Sequence, residues 1–192
     1  NEPRDIKTQS GKFEASYKLP VQFTLTGGLE YVEKTRNSPP VRAVSYREKT
    51  DETSVRAELR RSISESLTGA VSMIHSVRGG SPFLVNLNNA STATTGDLVA
   101  PLHLADRDRD TWRLTLNWMP SDPLSLNFRF DESRDKYAGT GLVAYDFGPR
   151  MGKAQNTSLD GAYAFSAALQ ATAWVSRNVN NFEDALCRGG AG

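Results

Sequence analysis

Between Thr111 and Asp131 the chain reads TWRLTLNWMPSDPLSLNFRFD. Trp112, Leu114, Leu116 and Trp118 alternate with Arg113, Thr115 and Asn117. After a turn bearing Pro and Asp, Leu124, Leu126, Phe128 and Phe130 alternate with Ser125, Asn127 and Arg129. Successive strand side chains point to opposite faces. Period 2 on both sides of a short turn therefore predicts a β-hairpin with one apolar and one polar face. The apolar face must meet either a protein core or lipid, and that choice bounds what the chain can do.

Three more hairpins repeat the pattern. The first joins Lys12–Leu19 to Val21–Tyr31 across Pro20, with Phe13, Ala15, Tyr17 and Leu19 on one face. Pairing Leu19 with Val21 sets Tyr17 against Phe23 and Ala15 against Leu25. The second joins Ser54–Ile63 to Leu67–Val77 and sets Val55, Ala57 and Leu59 against His75, Met73 and Val71. The last joins Ser158–Phe165 to Leu169–Ser176 and sets Leu159, Gly161, Tyr163 and Phe165 against Val175, Ala173, Ala171 and Leu169. A slip of one residue would turn every apolar side chain to the other face, so each pairing is constrained.

The connections alternate in length. Those near residues 20, 65, 121 and 167 are tight, whereas 34–53, 79–105 and 138–154 are long, polar and rich in Gly, Pro, Asn, Asp and Ser. Soluble domains rarely hold several structureless connections of that length. Outer-membrane barrels do so regularly, with short turns at one rim and long loops at the other. Each strand offers roughly 9–11 residues, enough to cross a bilayer at a tilt. The pattern predicts an all-β fold: about eight antiparallel strands in up-and-down transmembrane order, one β-barrel segment over 1–192 with the three long connections as outer loops. Trp112, Trp118, Phe130, Tyr137, Tyr163 and Tyr31 fall near strand ends, where interfacial aromatic girdles sit.

Composition agrees by what it excludes. Lys plus Arg number 23 and Asp plus Glu 22, which gives no global charge signal for nucleic acid. No run of 18 apolar residues marks a transmembrane helix. Cys187 is the single cysteine, so neither an internal disulfide, a CxxC site nor a CxxCH haem-attachment motif is present. The opening NEPRDIKTQS is polar and carries no secretory signal. An exported protein would then be numbered from after cleavage, or from within a longer chain.

The polar face of the 111–131 hairpin holds the chemistry. With Leu116 opposite Leu126, Asn117 meets Ser125, Thr115 meets Asn127 and Arg113 meets Arg129. Two arginines across a strand pair repel unless an anion lies between them. Asp131 stands diagonal to Arg113 in this register, so an Arg–Asp network within the wall is one reading. The other is that Arg113 and Arg129 meet acidic groups of something inside a barrel, with Asn117, Asn127 and Asp131 as further lumen-facing or partner-facing residues. Asp106–Asp110 and Asp131–Lys136 flank long loops. Their D-x-D-x-D spacing lacks the Gly and distal Glu of a calcium loop, which leaves a salt-bridged rim and no metal site. His75 falls on the apolar side of its strand and His103 in a loop, neither with a triad or HExxH context. Glycine pairs at Gly79-Gly80, Gly139-x-Gly141 and Gly189-Gly190 open no helix and cradle no phosphate. Asn89-Ala90-Ser91 and Asn156-Thr157-Ser158 are short motifs common by chance. No catalytic residue is identified.

Pro101–Asp146 resembles the MtrB/PioB family of decahaem-associated outer-membrane β-barrels. The likeness is carried by Leu104-Ala105-Asp106-Arg107-Asp108-Arg109 before a strand, Asn117-Trp118-x-Pro120 at the turn, and Asp135-Lys136-Tyr137 followed by Gly141-Leu142. Supporting segments are Tyr17–Pro20, Ala57–Ser62, His75–Ser81 and Leu159–Tyr163, so the likeness spans most of residues 10–180. The resemblance implies a non-enzymatic barrel in the bacterial outer membrane that sheathes a multihaem, decahaem-type c-type cytochrome for electron transfer across that membrane. In such an assembly the barrel binds no cofactor, haem c belongs to the partner, and an extracellular cytochrome can meet the loops. It would also give Arg113 and Arg129 an anionic partner. Trp112, Leu114, Leu116, Trp118, Leu126, Phe128 and Phe130 would then face lipid or the girdle.

Two features depart from the family pattern. About eight strands close a barrel filled by its own side chains, with no room for a cytochrome. The chain also ends CRGGAG, without the terminal aromatic strand usual in bacterial outer-membrane proteins. Both suggest a contiguous piece of a larger wall, or a wall completed by other chains. Two further readings remain open: a general porin or solute channel, and a soluble β-sandwich binding module.

Overall fold

A computed structural model describes residues 5–37, 46–84, 101–139 and 148–185. Eight strands account for almost all of them: β1 (Ile6–Lys18), β2 (Phe23–Arg36), β3 (Lys49–Ser62), β4 (Leu67–Gly80), β5 (Arg107–Ser121), β6 (Leu124–Tyr137), β7 (Gly148–Ser166) and β8 (Leu169–Ala185). Each pairs antiparallel with its sequence neighbour, giving one sheet in the order β1 to β8 with β1 and β8 as its edges. This is the up-and-down architecture that the alternating segments predict. No described helix is long and apolar enough to cross a membrane.

The strands run 13–19 residues, longer than the 9–11 expected. The additional length lies at the long-connection end. Residues 34–36, 49–53, 79–80, 107–110 and 148–154, read as loop or loop-adjacent sequence, continue the ladders. Lys49, Glu52, Arg107, Arg109, Asp110 and Lys153 in these segments are held by cross-strand ion pairs, which a one-dimensional reading sees only as hydrophilic sequence. The Asn89–Ser91 motif, Gly141, Gly189, Gly190 and Cys187 lie outside the described residues.

Registers divide into two kinds. The β3–β4 pairing is as predicted, with Val55, Ala57 and Leu59 opposite His75, Met73 and Val71. In β7–β8, Leu159, Gly161 and Tyr163 meet Val175, Ala173 and Ala171 as predicted, but a bulge after Ala164 brings Ser166, not Phe165, opposite Leu169. The other two hairpins are displaced by two residues. Tyr17 pairs with Leu25 and Ala15 with Gly27, because the turn is longer than Pro20 alone. In β5–β6, a turn at Asp122-Pro123 and a one-residue bulge between Trp118 and Ser121 together set Leu116 opposite Phe128 and Asn117 opposite Asn127. A bulge adds an unpaired residue to one strand and so moves the pairing beyond it. A two-residue shift keeps every side chain on its own face, which is why apolar patterning alone does not detect it.

The first tight turn carries strain. Val21 and Gln22 adopt φ of 60° and 62°. Left-handed backbone is unfavourable for a residue with a Cβ and worst for a β-branched one. Val21 is 67% exposed, so little packing compensates. Val21→Asn is expected to raise stability by about 1 kcal/mol, because Asn tolerates this conformation. A urea-unfolding midpoint that moves up for Val21→Asn and stays put for Val21→Ala would establish it.

A two-faced wall and its charge networks

The register fixes two faces across all eight strands. One is apolar. It carries Phe13 and Tyr17 on β1, Leu25 and Leu29 on β2, Val55 and Leu59 on β3, and Val71 and Met73 on β4. Trp112, Leu114, Leu116 and Trp118 continue it on β5, Leu124, Leu126, Phe128 and Phe130 on β6, Leu159 and Tyr163 on β7, and Val175 on β8. Along β5 and β6 this band runs about 20 Å, from six residue steps of roughly 3.4 Å. The face is open: Phe13 is 70% exposed, Trp112 50% and Val71 48%. At its long-connection edge the apolar residues give way to charge. His75 Nδ1 lies 2.8 Å from Asp110 Oδ1. Glu132 takes Arg134 at 2.7 Å and Lys153 at 3.3 Å, and Glu33 takes Lys49 at 2.8 Å.

The opposite face is polar yet better covered. Ser72 is 3% exposed, Ser76 5%, Thr50 4% and Asp135 8%. Soluble sheets bury apolar side chains and expose polar ones; this one does the reverse. The cause is visible in the register. Ser72 on β4 lies between Glu58 on β3 and Arg113 on β5, so the longer charged arms close over the small residue.

Two arginine–carboxylate networks flank that β4 column. In the first, Arg113 Nε and Arg129 Nε each donate to Asp131 at 2.5 Å, one to each carboxylate oxygen. Arg113 is paired with Asp131, not with Arg129 as predicted; Arg129 stands opposite Thr115. The displaced register removes the expected repulsion, because the carboxylate lies between the two guanidinium groups. Asn117 and Asn127 face each other two residue pairs nearer the turn. All five predicted polar-face residues therefore share one face, with Arg113, Arg129 and Asp131 in direct contact. The second network was not anticipated: Glu58 accepts from Arg56 and from Arg60, the latter at 3.3 Å. Arg56 also reaches Glu14 at 3.7 Å, and Glu14 pairs with Lys12 at 3.0 Å. Its sequence signal is the Arg56-x-Glu58-x-Arg60 alternation along one strand face. Counting charges, two cations share one carboxylate in the first network and three share two in the second, so each is net positive by one.

The rim segments pair as a salt-bridged rim should. Arg107 binds both Glu52 oxygens at 3.0 Å, Arg109 binds both Asp135 oxygens at 2.5 and 2.6 Å, and Arg47 meets Asp106 at 2.5 Å. Tyr137, expected in the girdle, belongs instead to the polar face. Its hydroxyl donates to Asp135 at 2.9 Å and its ring packs edge-on against Phe182, with centroids 6.0 Å apart. The pairing of Arg107 with Tyr137 puts it there. Trp112, Trp118, Tyr31, Phe130 and Tyr163 do share the apolar face.

One small apolar cluster interrupts the polar face at the long-connection end. Leu104 and Ala105 are fully buried with Phe83, against Tyr46 and Tyr137. Both amides turn back to Pro101 O at 2.9 and 2.8 Å, Ala138 N donates to Asp106 O at 3.1 Å, and Arg78 donates to Leu102 O and Ala105 O at 2.7 and 3.0 Å. The segment 101–106 is thus folded down onto the polar face.

Comparison with known proteins agrees with this geometry. The chain is 27% identical over 140 residues to outer membrane protein MtrB of Shewanella baltica (strain OS185). That match covers 73% of this chain and 19% of the relative, so the chain spans about a fifth of the curated protein's length. A family model of outer-membrane β-barrel porins matches residues 1–185. With an open apolar band on one side of its sheet and paired charge on the other, the chain belongs to the MtrB/PioB family of outer-membrane β-barrel porins.

Proposed function

We propose that this chain is part of the wall of a non-enzymatic outer-membrane barrel that sheathes a multihaem c-type cytochrome and so insulates a path for electrons across the membrane. The apolar face meets lipid and the polar face meets the cytochrome. Haem c is carried by that partner and none is bound by this chain. Eight strands alone would close on their own side chains, so the proposal includes further strands in the same wall. The long connections form the outer rim, where a second, extracellular cytochrome could dock.

What supports the reading is the reversal of burial within a chain of this family. An exposed apolar face suits hydrocarbon, whereas a polar face with two net-positive arginine networks suits an acidic protein surface. Arg113 and Arg129 are held in place by Asp131, so they present charge without first having to be ordered. A porin lining would also be polar, and that second reading rests on the family description itself.

The test is affinity purification of the tagged full-length protein from its own outer membrane. A haem-staining c-type cytochrome is expected to copurify, and the double substitution Arg113→Glu with Arg129→Glu is expected to remove it while the barrel still reaches the outer membrane. A folded barrel that carries no cytochrome and conducts small ions across a planar bilayer would make the porin reading correct instead.

A further inference from the structure

We propose that the polar face holds a binding site for a small oxyanion of the phosphate or sulfate class, at the long-connection end between β2, β3 and β4. This site does not depend on what fills the barrel. It is a cavity of about 170 Å³ bordered by Lys34, Arg36, Thr50, Glu52, Arg78 and His103. Lys34 stands opposite Thr50, and Glu52 opposite Arg78, so their side chains converge from three adjacent strands on one face. Thr50, only 4% exposed, forms the floor.

The cations here differ from the other arginines of this face. Arg47, Arg56, Arg60, Arg107, Arg109, Arg113 and Arg129 each meet a carboxylate. Arg36 instead donates Nη1 to Thr50 Oγ1 at 2.9 Å and to Lys34 O at 3.4 Å. Arg78 donates to the carbonyls of Leu102 and Ala105 at 2.7 and 3.0 Å. These are neutral acceptors: they orient a guanidinium and leave its charge uncompensated. Among the described residues, no carboxylate lies within ion-pair distance of Arg36, Arg78 or Lys34. Glu52, the carboxylate on the same face, is engaged through both oxygens by Arg107. Asp51 also borders the cavity but alternates to the opposite face, where its strand pairs it with Gly79 and Glu33.

Two oriented guanidinium groups and the neighbouring Lys34 around one already-neutralised carboxylate attract an anion, and planar guanidinium donors match an oxyanion with two or more oxygens. Size narrows the class. At roughly 30 Å³ per water, the cavity has room for one tetrahedral oxyanion and a few waters. It is too small to seat a folded protein surface. An acidic side chain of a partner remains the competing occupant, and the experiment separates the two.

The full protein, purified in detergent without phosphate or sulfate, is titrated with inorganic phosphate by calorimetry, with ionic strength held constant by chloride. Saturable binding is expected, with a thermal midpoint that climbs with phosphate as for any ligand of the native state. Lys34→Gln and Arg36→Gln should each weaken binding by about tenfold or more, the effect of removing a charge-assisted contact. Lys34 is exposed, so its substitution leaves folding intact. Arg177→Gln, on the opposite face, should leave phosphate binding unchanged. Absence of saturable binding overturns the proposal, as does binding indifferent to both Lys34→Gln and Arg36→Gln. If an acidic peptide binds where phosphate does not, and loses affinity in the same two variants, the pocket serves a protein partner and the small-anion assignment fails.

Discussion

Leu114→Arg is expected to cost about 2–4 kcal/mol when the protein folds into phospholipid vesicles, the range for arginine at the midplane of a barrel's lipid face. Leu114 stands opposite Phe130 on β6 and Val71 on β4, with Trp112 and Trp118 marking the two ends of its stretch of band. Leu114 lies two residues inside Trp112, so a guanidinium there either sits in hydrocarbon or snorkels about 7 Å along the strand to the edge of the band, and both cost stability. Asn117→Arg is the matched control. It adds the same charge to the same strand on the polar face, opposite Asn127, and is expected to change stability by no more than about 0.5 kcal/mol, as substitutions at polar surface positions usually do. Urea titration of both variants from vesicles reads the difference. Equal costs would remove the distinction between the faces, and with it the assignment of the apolar band to lipid.

Which face each residue occupies was legible in the sequence, because period 2 survives any even error in register. The pairing partner was not. The chemistry of the polar face depends on that partner: a two-residue displacement converts an Arg113–Arg129 clash into Arg113–Asp131–Arg129, with the carboxylate shared. The tight turn at Asp122-Pro123 and the one-residue bulge between Trp118 and Ser121 determine this together. Pro120 inside the bulge is the local sign of it, since proline in a strand is confined to edges and bulges, but it does not say how far the pairing moves. The ends of the strands were hidden for a different reason. Glu52, Arg107, Arg109 and Asp135 look like rim sequence in one dimension, yet they pair across strands separated by 55 and 26 positions. The Arg56-x-Glu58-x-Arg60 alternation was readable on its own strand, whereas the coverage of Ser72 by its neighbours needs the register of three strands at once. Tyr137 shows the same limit. Its position near a strand end suggested a girdle, and its parity, correctly counted from Arg113 and Asp131, puts it on the polar face.

Leu104→Ala is expected to release the segment 101–106 from the polar face without melting the sheet. Leu104 is fully buried, and its partners Phe83, Ala105, Tyr46 and Tyr137 form the apolar cluster at this end. Large-to-small changes at such a site cost about 2–5 kcal/mol. A short segment of this kind can open by itself, so the cost should appear as local rather than global instability. Hydrogen exchange is therefore the measurement. The amides of Leu104, Ala105 and Ala138, which bond to Pro101 O and Asp106 O, should lose about thirtyfold or more of their protection, the equivalent of the lower end of that range. Those of Leu116 and Phe128 in the β5–β6 ladder should not change. The consequence extends to Arg78. Its two carbonyl acceptors, Leu102 O and Ala105 O, belong to the same segment, so a loosened segment no longer orients this guanidinium towards the cavity beside Arg36. Phosphate affinity should fall together with the protection of Ala105. If protection is lost and phosphate affinity is kept, Arg78 is oriented by its own strand and the folded-down segment serves only to narrow the rim.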